Sequence, residues 1–119
     1  MDDALQSLDV WTRSRKLAVA VYQNLAFCRD RGFKDQITRA AVSVPSNIAE
    51  GFERHSRKQF VNFLQIAKGS CAEVRTQLYI GEEIGFLGHE HARQLQAEAL
   101  AISKMLQGLI NRYKKATSA

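Results

Sequence analysis

Gln36-Ile37-Thr38-Arg39-Ala40-Ala41-Val42-Ser43-Val44-Pro45-Ser46-Asn47-Ile48-Ala49-Glu50-Gly51 sets a proline in the middle of a stretch whose apolar residues otherwise step like a helix. Ile37, Ala41, Val44, Ile48 and then Phe52 recur at three- and four-residue intervals, the spacing of a helix with one buried face. A proline inside it removes one backbone hydrogen bond and crowds the carbonyl of Ala41, so the helix is either split at Pro45 or kinked there. The stripe resumes in phase beyond the proline. That predicts one kinked helix from about Lys34 to Glu53.

Working outward, the same periodicity covers the chain. Trp11, Ala18, Val21, Leu25 and Cys28, with Ser14 filling the gap, predict a first helix from about Leu8 to Arg29. Arg31-Gly32-Phe33 breaks that pattern, Gly32 supplying the permissive backbone of a helix end. After the second helix, Ser56 followed by Gln59 reads as a capping box. It opens a third helix to about Gly85, its core face marked by Phe60, Phe63, Leu64, Ala67, Cys71, Val74 and Leu78. Gly69 costs helix propensity, which predicts close backbone packing there. A fourth helix, from His89 to about Lys115, carries Leu95, Ala99, Ile102, Leu106, Leu109 and Tyr113, and a tail follows from Ala116. With one proline and no alternating strand pattern, the expected fold is all-α: a single domain over residues 1–119, an antiparallel up-down-up-down four-helix bundle.

Composition narrows the function. The 119 residues are 45% apolar, and 17 Lys+Arg against 12 Asp+Glu leave a net charge of +5. A chain this long buries about two-thirds of its unfolded surface, enough for a core without disulfides or metal. The longest uncharged run, beginning at Leu17, falls well short of the roughly 20 residues of a membrane span. The start, Met1-Asp2-Asp3, is acidic where a signal peptide is basic, so a cytoplasmic protein without a membrane partner is expected. Cys28 and Cys71 read as reduced core thiols. His89-Glu90-His91 has i, i+2 spacing, which points the histidines to different sides of a helix, so it reads as a polar helix start and not as a metal site. No cofactor is expected.

Bundle topology then locates the charge. The start of the first helix, the end of the second, the start of the third and the end of the fourth share one end. That end would collect Arg13, Arg15, Lys16, Arg54, Arg57, Lys58, Arg112, Lys114 and Lys115, nine of the 17 basic residues, against Asp9, Glu50 and Glu53, with Asp2 and Asp3 on a mobile tail. These nine are the candidate nucleic-acid-binding residues. The opposite end mixes Arg29, Arg31, Lys34 and Arg93 with Asp30, Asp35, Glu82, Glu83 and Glu90, and is near neutral. Beside the core stripe, Arg39, Ser43, Ser46 and Glu50 line one face of the second helix, and Ser70, Glu73 and Gln77 line one face of the third. If the two turn back near His55, Arg39 comes level with Glu73 in a register-pinning bridge, and Ser43 with the Ala67 to Ser70 stretch. Asn47 is placed to bond backbone groups near the proline. Glu50 and Glu73 lie too far apart to work as paired carboxylates, and no enzyme is expected. Trp11, Leu17, Tyr22, Ile66, Ile80 and Leu87 lie partly off the core stripes and are candidate subunit contacts.

The run from Gln36 to Gly51, with Ser56, Phe63-Leu64-Gln65-Ile66-Ala67-Lys68-Gly69-Ser70 and Glu73, resembles a bacterial four-helix-bundle family. That family is named for proteins encoded in intervening sequences of 23S ribosomal RNA, and it includes the accessory variability protein of diversity-generating retroelements. Arg39, Ser43, Pro45, Asn47, Glu50, Gly51, Gly69, Ser70 and Glu73 are its structural motif positions here. The resemblance covers nearly the whole chain and implies a ring-like homopentamer with a basic surface. In the retroelement branch it also implies binding to nucleic acid and to a reverse transcriptase. Cys28-Arg29-Asp30-Arg31 departs from the family, whose members often carry a proline and an acidic residue in that connection. The expected role is a non-enzymatic oligomer that binds RNA or DNA; the alternative is a structural or protein-interaction module.

Overall fold

The structure, a computed structural model, describes residues 3–6 and 8–118; the expectations about Asp2 and Ala119 lie outside the described residues. It has a short helix α1 (Asp3–Gln6) and four long ones: α2 (Asp9–Asn24), α3 (Arg31–Phe52), α4 (Arg57–Ile84) and α5 (His89–Ser118). No strand occurs among the described residues. Asp3 opens a helical turn instead of continuing a tail, and Leu5 from that turn is buried. At the other terminus α5 runs on through Ser118 where a tail from Ala116 was expected.

The connections reset two boundaries. α2 stops at Asn24 rather than near Arg29, and α3 starts at Arg31 rather than Lys34. The reason is Asp30, whose carboxylate accepts a hydrogen bond from the backbone N–H of Phe33 at 2.9 Å. An N-cap needs an extended backbone at its own position, so the helix before it must end earlier. Gly32 therefore sits inside the first turn of α3 and ends nothing. The glycine that does end a helix is Gly85, at φ 95°. Phe86 N–H donates to Gly81 C=O (2.8 Å) and Gly85 N–H to Glu82 C=O (3.2 Å), closing α4 in a Schellman turn. Ser56 caps α4 as expected, accepting from Gln59 N–H at 3.3 Å.

α3 runs through Pro45 as one continuous helix, so it is not split. The kink itself stays an expectation. Two residues past the proline, Asn47 Nδ2 donates to Ser43 C=O at 2.8 Å, adding a side-chain bond to the backbone of the turn that Pro45 interrupts. α2 packs against α3 and α5, and α4 packs against α3 and α5, which closes the bundle. The predicted stripes meet inside: Ile37, Val44, Ile48, Leu64, Val74, Leu78, Ile102 and Leu106 are fully buried. Ser14 is buried with them, its hydroxyl bonded to Trp11 C=O at 3.0 Å.

Candidate nucleic-acid interface

The link from α3 to α4 puts Arg54, Arg57 and Lys58 at one end of the bundle. An aromatic cluster ties the C-terminal part of α5 to that same end. The Phe60 ring meets Tyr113 edge-on at 5.0 Å between centroids, and Phe52 at 6.2 Å. Arg112, Lys114 and Lys115 flank Tyr113, and all six cations are exposed. The Arg57 guanidinium lies 5.4 Å from the Tyr113 centroid. Arg54 lies 5.2 Å from that of Phe63 and also pairs with Glu50 one turn back, at 2.6 Å. A ring orients a guanidinium without cancelling its charge.

The other three predicted cations lie along α2. Arg13 donates from Nε to Glu98 Oε2 at 3.0 Å and from Nη2 to Oε1, and its Nη1 approaches the Met105 sulfur. The hydrogen bond to Glu98 and its negative charge raise the guanidinium pKa above its ordinary value. Glu98 and Met105 lie roughly two to four turns back from Tyr113 along α5. Arg15 stacks on Trp11 of its own helix at 5.1 Å, and Lys16 is exposed. The nine candidates thus separate into six at the end and three on the α2 flank. Helix lengths account for this: α2 has 16 residues and α5 has 30, so α2 begins partway along its neighbour.

The seam between α3 and α4 holds the register by a different contact from the expected one. Arg39 and Glu73 line one shallow groove with Asp35, Gln36 and Gln77, but no ion pair within 4.0 Å joins them. Both are exposed, and a solvated pair gains at most about 1 kcal/mol, too little to hold two long side chains together. The bond that does form is Ser43 Oγ to Ser70 Oγ at 2.8 Å, at the predicted level, with Asn47 Nδ2 also donating to Ser43 Oγ at 2.9 Å. Gln77 Oε1 is buried in this seam without a hydrogen-bond partner. Glycine packing is also relocated. A Cβ on Gly69 would meet nothing within 4 Å, whereas one on Gly51 would sit 2.6 Å from the Phe63 Cβ. At Gly51 the two helices pack too closely for a side chain between them.

Of the candidate subunit contacts, Trp11, Leu17 and Leu87 are buried core residues. Tyr22, Ile66 and Ile80 are exposed, as are Val42 and Ile84. Phe27, 96% exposed after the end of α2, carried no signal in the periodicity. His89 begins α5 as expected and faces Glu82, which also receives Arg93 Nε (3.2 Å) and Gln96 Nε2 (3.0 Å). Gln96 and Arg93 hold the Glu82 carboxyl below its usual range. Among the described residues no three His, Cys, Asp or Glu gather in a group able to hold a metal ion.

A polar face on the other side of α4 was missed. Lys68 Nζ donates to Gln107 Oε1, and Gln107 Nε2 donates to Asn111 Oδ1 at 2.8 Å, across and along the α4–α5 groove. Gln65, Gly69 and Lys114 share that groove.

The profile of a family described as "23S rRNA-intervening sequence protein" matches residues 6–108. Among solved structures, the chain is similar to a protein of unknown function from the S23 ribosomal protein family of Bacteroides thetaiotaomicron VPI-5482. The two share 25% identity over 85% of this chain and 97% of that one, with a TM-score of 0.78. No functionally curated protein matches. Among the described residues, no helix is long and apolar enough to cross a membrane.

Proposed function

Because the chain belongs to the family of 23S rRNA-intervening sequence proteins, we propose that it is a non-enzymatic homo-oligomer that binds RNA or DNA through its basic end and works in the cytoplasm. The observation that carries this reading is the group of six exposed cations, Arg54, Arg57, Lys58, Arg112, Lys114 and Lys115, gathered by the aromatic cluster around Phe60 and Tyr113. Assembly would multiply that charge by the number of subunits, and multivalent contact raises avidity steeply. The family resemblance implies a pentamer. Exposed Val42 on α3 and Ile66, Ile80 and Ile84 on α4 support an apolar contact between copies.

Fluorescence anisotropy with a labelled RNA hairpin and the matching DNA, at about 50 and 200 mM salt, tests the binding. We expect binding at low salt that weakens steeply as salt rises, and a loss of at least tenfold in R57Q/K58Q/K115Q. No binding at low salt, or binding indifferent to salt, overturns it. Light scattering tests the assembly, and a monomer at micromolar concentration overturns that part. An oligomer without nucleic-acid affinity would favour the second reading, a protein-interaction module. A reverse transcriptase is the protein partner implied by the retroelement branch, and co-purification with one encoded by a neighbouring gene tests it.

A further inference from the structure

The chain has no Asp or Glu between Glu53 and Glu73, and none after Glu98. The first of these stretches is the N-terminal half of α4 and the second the C-terminal two-thirds of α5. The helices are antiparallel neighbours, so the two acid-free stretches lie side by side, as the Phe60–Tyr113 and Lys68–Gln107 contacts show. Their shared groove holds Lys58 and Lys114 at the basic end and Lys68 further in, with the amides of Gln65, Gln107 and Asn111 between them. Lys104 follows on the same face of α5, at i, i+3 and i+7 spacing with Gln107 and Asn111.

The groove is ordered before any ligand arrives. Lys68 donates one ammonium proton to Gln107 Oε1, and Gln107 passes the polarisation on through Nε2 to Asn111 Oδ1. An ammonium has three donors, so Lys68 keeps two for the groove, and the Asn111 amide adds an exposed NH2. Gly69 forms part of the floor. In a helix interior it costs about 1 kcal/mol relative to alanine, and packing within the chain does not explain it, because nothing lies within 4 Å of where its Cβ would be. An absent side chain beside Lys68 leaves room for a bulky ligand to approach the helix backbone.

From these observations we infer that the α4–α5 groove is a track for the sugar-phosphate backbone of RNA, entered at the Lys58 and Lys114 end and running inward past Lys68 to Lys104. Lysines engage the phosphates. Side-chain amides both donate and accept, which complements a ribose 2′-hydroxyl that does the same and which DNA lacks. The inference rests on the nucleic-acid reading above and gives it a path along the molecule.

The test uses the full chain in the same anisotropy titration, with three variants. K68Q/K104Q should lose about tenfold in RNA affinity at 100 mM salt and lower the log–log salt slope by roughly 1.5 to 2, the two phosphates it no longer neutralises. G69L changes no charge and removes a helix-interior glycine, so it should fold, assemble to the wild-type mass by light scattering, and still lose at least tenfold in affinity. R29Q/R31Q at the opposite end should bind as wild type does. Wild-type binding with K68Q/K104Q and G69L unchanged overturns the track and leaves the nucleic-acid reading standing. Absence of wild-type binding overturns that reading itself. DNA binding as tight as RNA binding overturns the role given to the amides.

Discussion

At the end of the bundle where α3 turns into α4, Arg57 lies over Tyr113 and Arg54 over Phe63, while at the end where α4 turns into α5, Arg93 and His89 converge on one carboxylate, Glu82. Both ends carry cations, but they use them differently. Around Glu82 the Arg93 charge is matched by a negative one, and Asp30 answers the N-terminus of α3, so charge there fastens connections and its field cancels nearby. At the basic end Arg54 pairs with Glu50 one turn back, while the Arg57 guanidinium rests over the Tyr113 ring. A cation held over a ring stays charged toward solvent, so this end can attract a polyanion. Two ends of one bundle thus divide the work, one holding the chain reversal and the other presenting charge.

Glycine substitution gives the largest effect that sharpens this contrast. A Cβ on Gly51, near the basic end, would sit 2.6 Å from the Phe63 Cβ, an atom tethered to the α4 backbone. A Cβ on Gly81, near the other end, would sit 2.9 Å from the ring tip of the half-buried Phe33 and 3.3 Å from the Leu87 Cδ1, both far ends of side chains. Gly51→Ala is expected to lower unfolding free energy by about 1 to 3 kcal/mol, as overpacking does. Gly81→Ala should cost clearly less, because a ring tip can swing aside. Urea unfolding measures both, and equal losses would erase the difference in rigidity.

Next comes the acid limb of stability. The Glu82 carboxyl titrates below its ordinary value of 4.5 because Gln96 and Arg93 favour the ionised form. The native state therefore prefers the charged carboxylate. Its stabilisation is complete above the unfolded value of 4.5 and is lost as pH falls through the lower folded value. Glu82→Gln should lower the melting temperature at pH 7, with the gap to wild type closing as pH falls below 4.5 and through the lower folded value. Arg57, which rests on a ring, should give a Gln variant whose small difference from wild type shows no such limb. A Glu82→Gln effect constant from pH 7 to 3 would break the comparison.

The smallest expected effect is chemical and leaves stability untouched. Cys71, beneath the acid-free face, is buried, its thiol donating to Ala99 C=O at 3.1 Å, and burial pushes its pKa up to about 11. Cys28, in the link before α3, is half-buried. A thiol reagent at pH 8 should modify one cysteine in the native protein and two in denaturant, with Cys28 identified by mass spectrometry. Two native modifications would mean that the α4–α5 interface opens readily.

Much of this was legible in the residues because helix periodicity is a local signal. The stripe from Ile37 to Phe52 predicted one helix despite Pro45, and the antiparallel register predicted that Ser43 would come level with the Ala67 to Ser70 stretch, where it bonds Ser70. Non-local quantities were not legible. Whether a glycine packs closely depends on the distance between two helices, which is why Gly51 and Gly81 are tight and Gly69 is open. Whether Arg39 and Glu73 pair depends on competition with water at an exposed seam, where the gain is slight. The groove at Lys68 was overlooked because its signal is an absence of acids in two stretches remote in sequence.

By itself the sequence determined the helices, the composition of their buried faces and the excess of positive charge, since each follows from the order of residues along a short run of chain. Only the tertiary structure decided which charges survive. Arg13 and Lys58 look alike along the chain, yet the packing of α2 against α5 hands Arg13 to Glu98, whereas the antiparallel fit of α4 and α5 sets Lys58 beside a second stretch without acids. Net charge is a sum over residues, but the field a partner meets depends on which opposite charges the fold brings within reach.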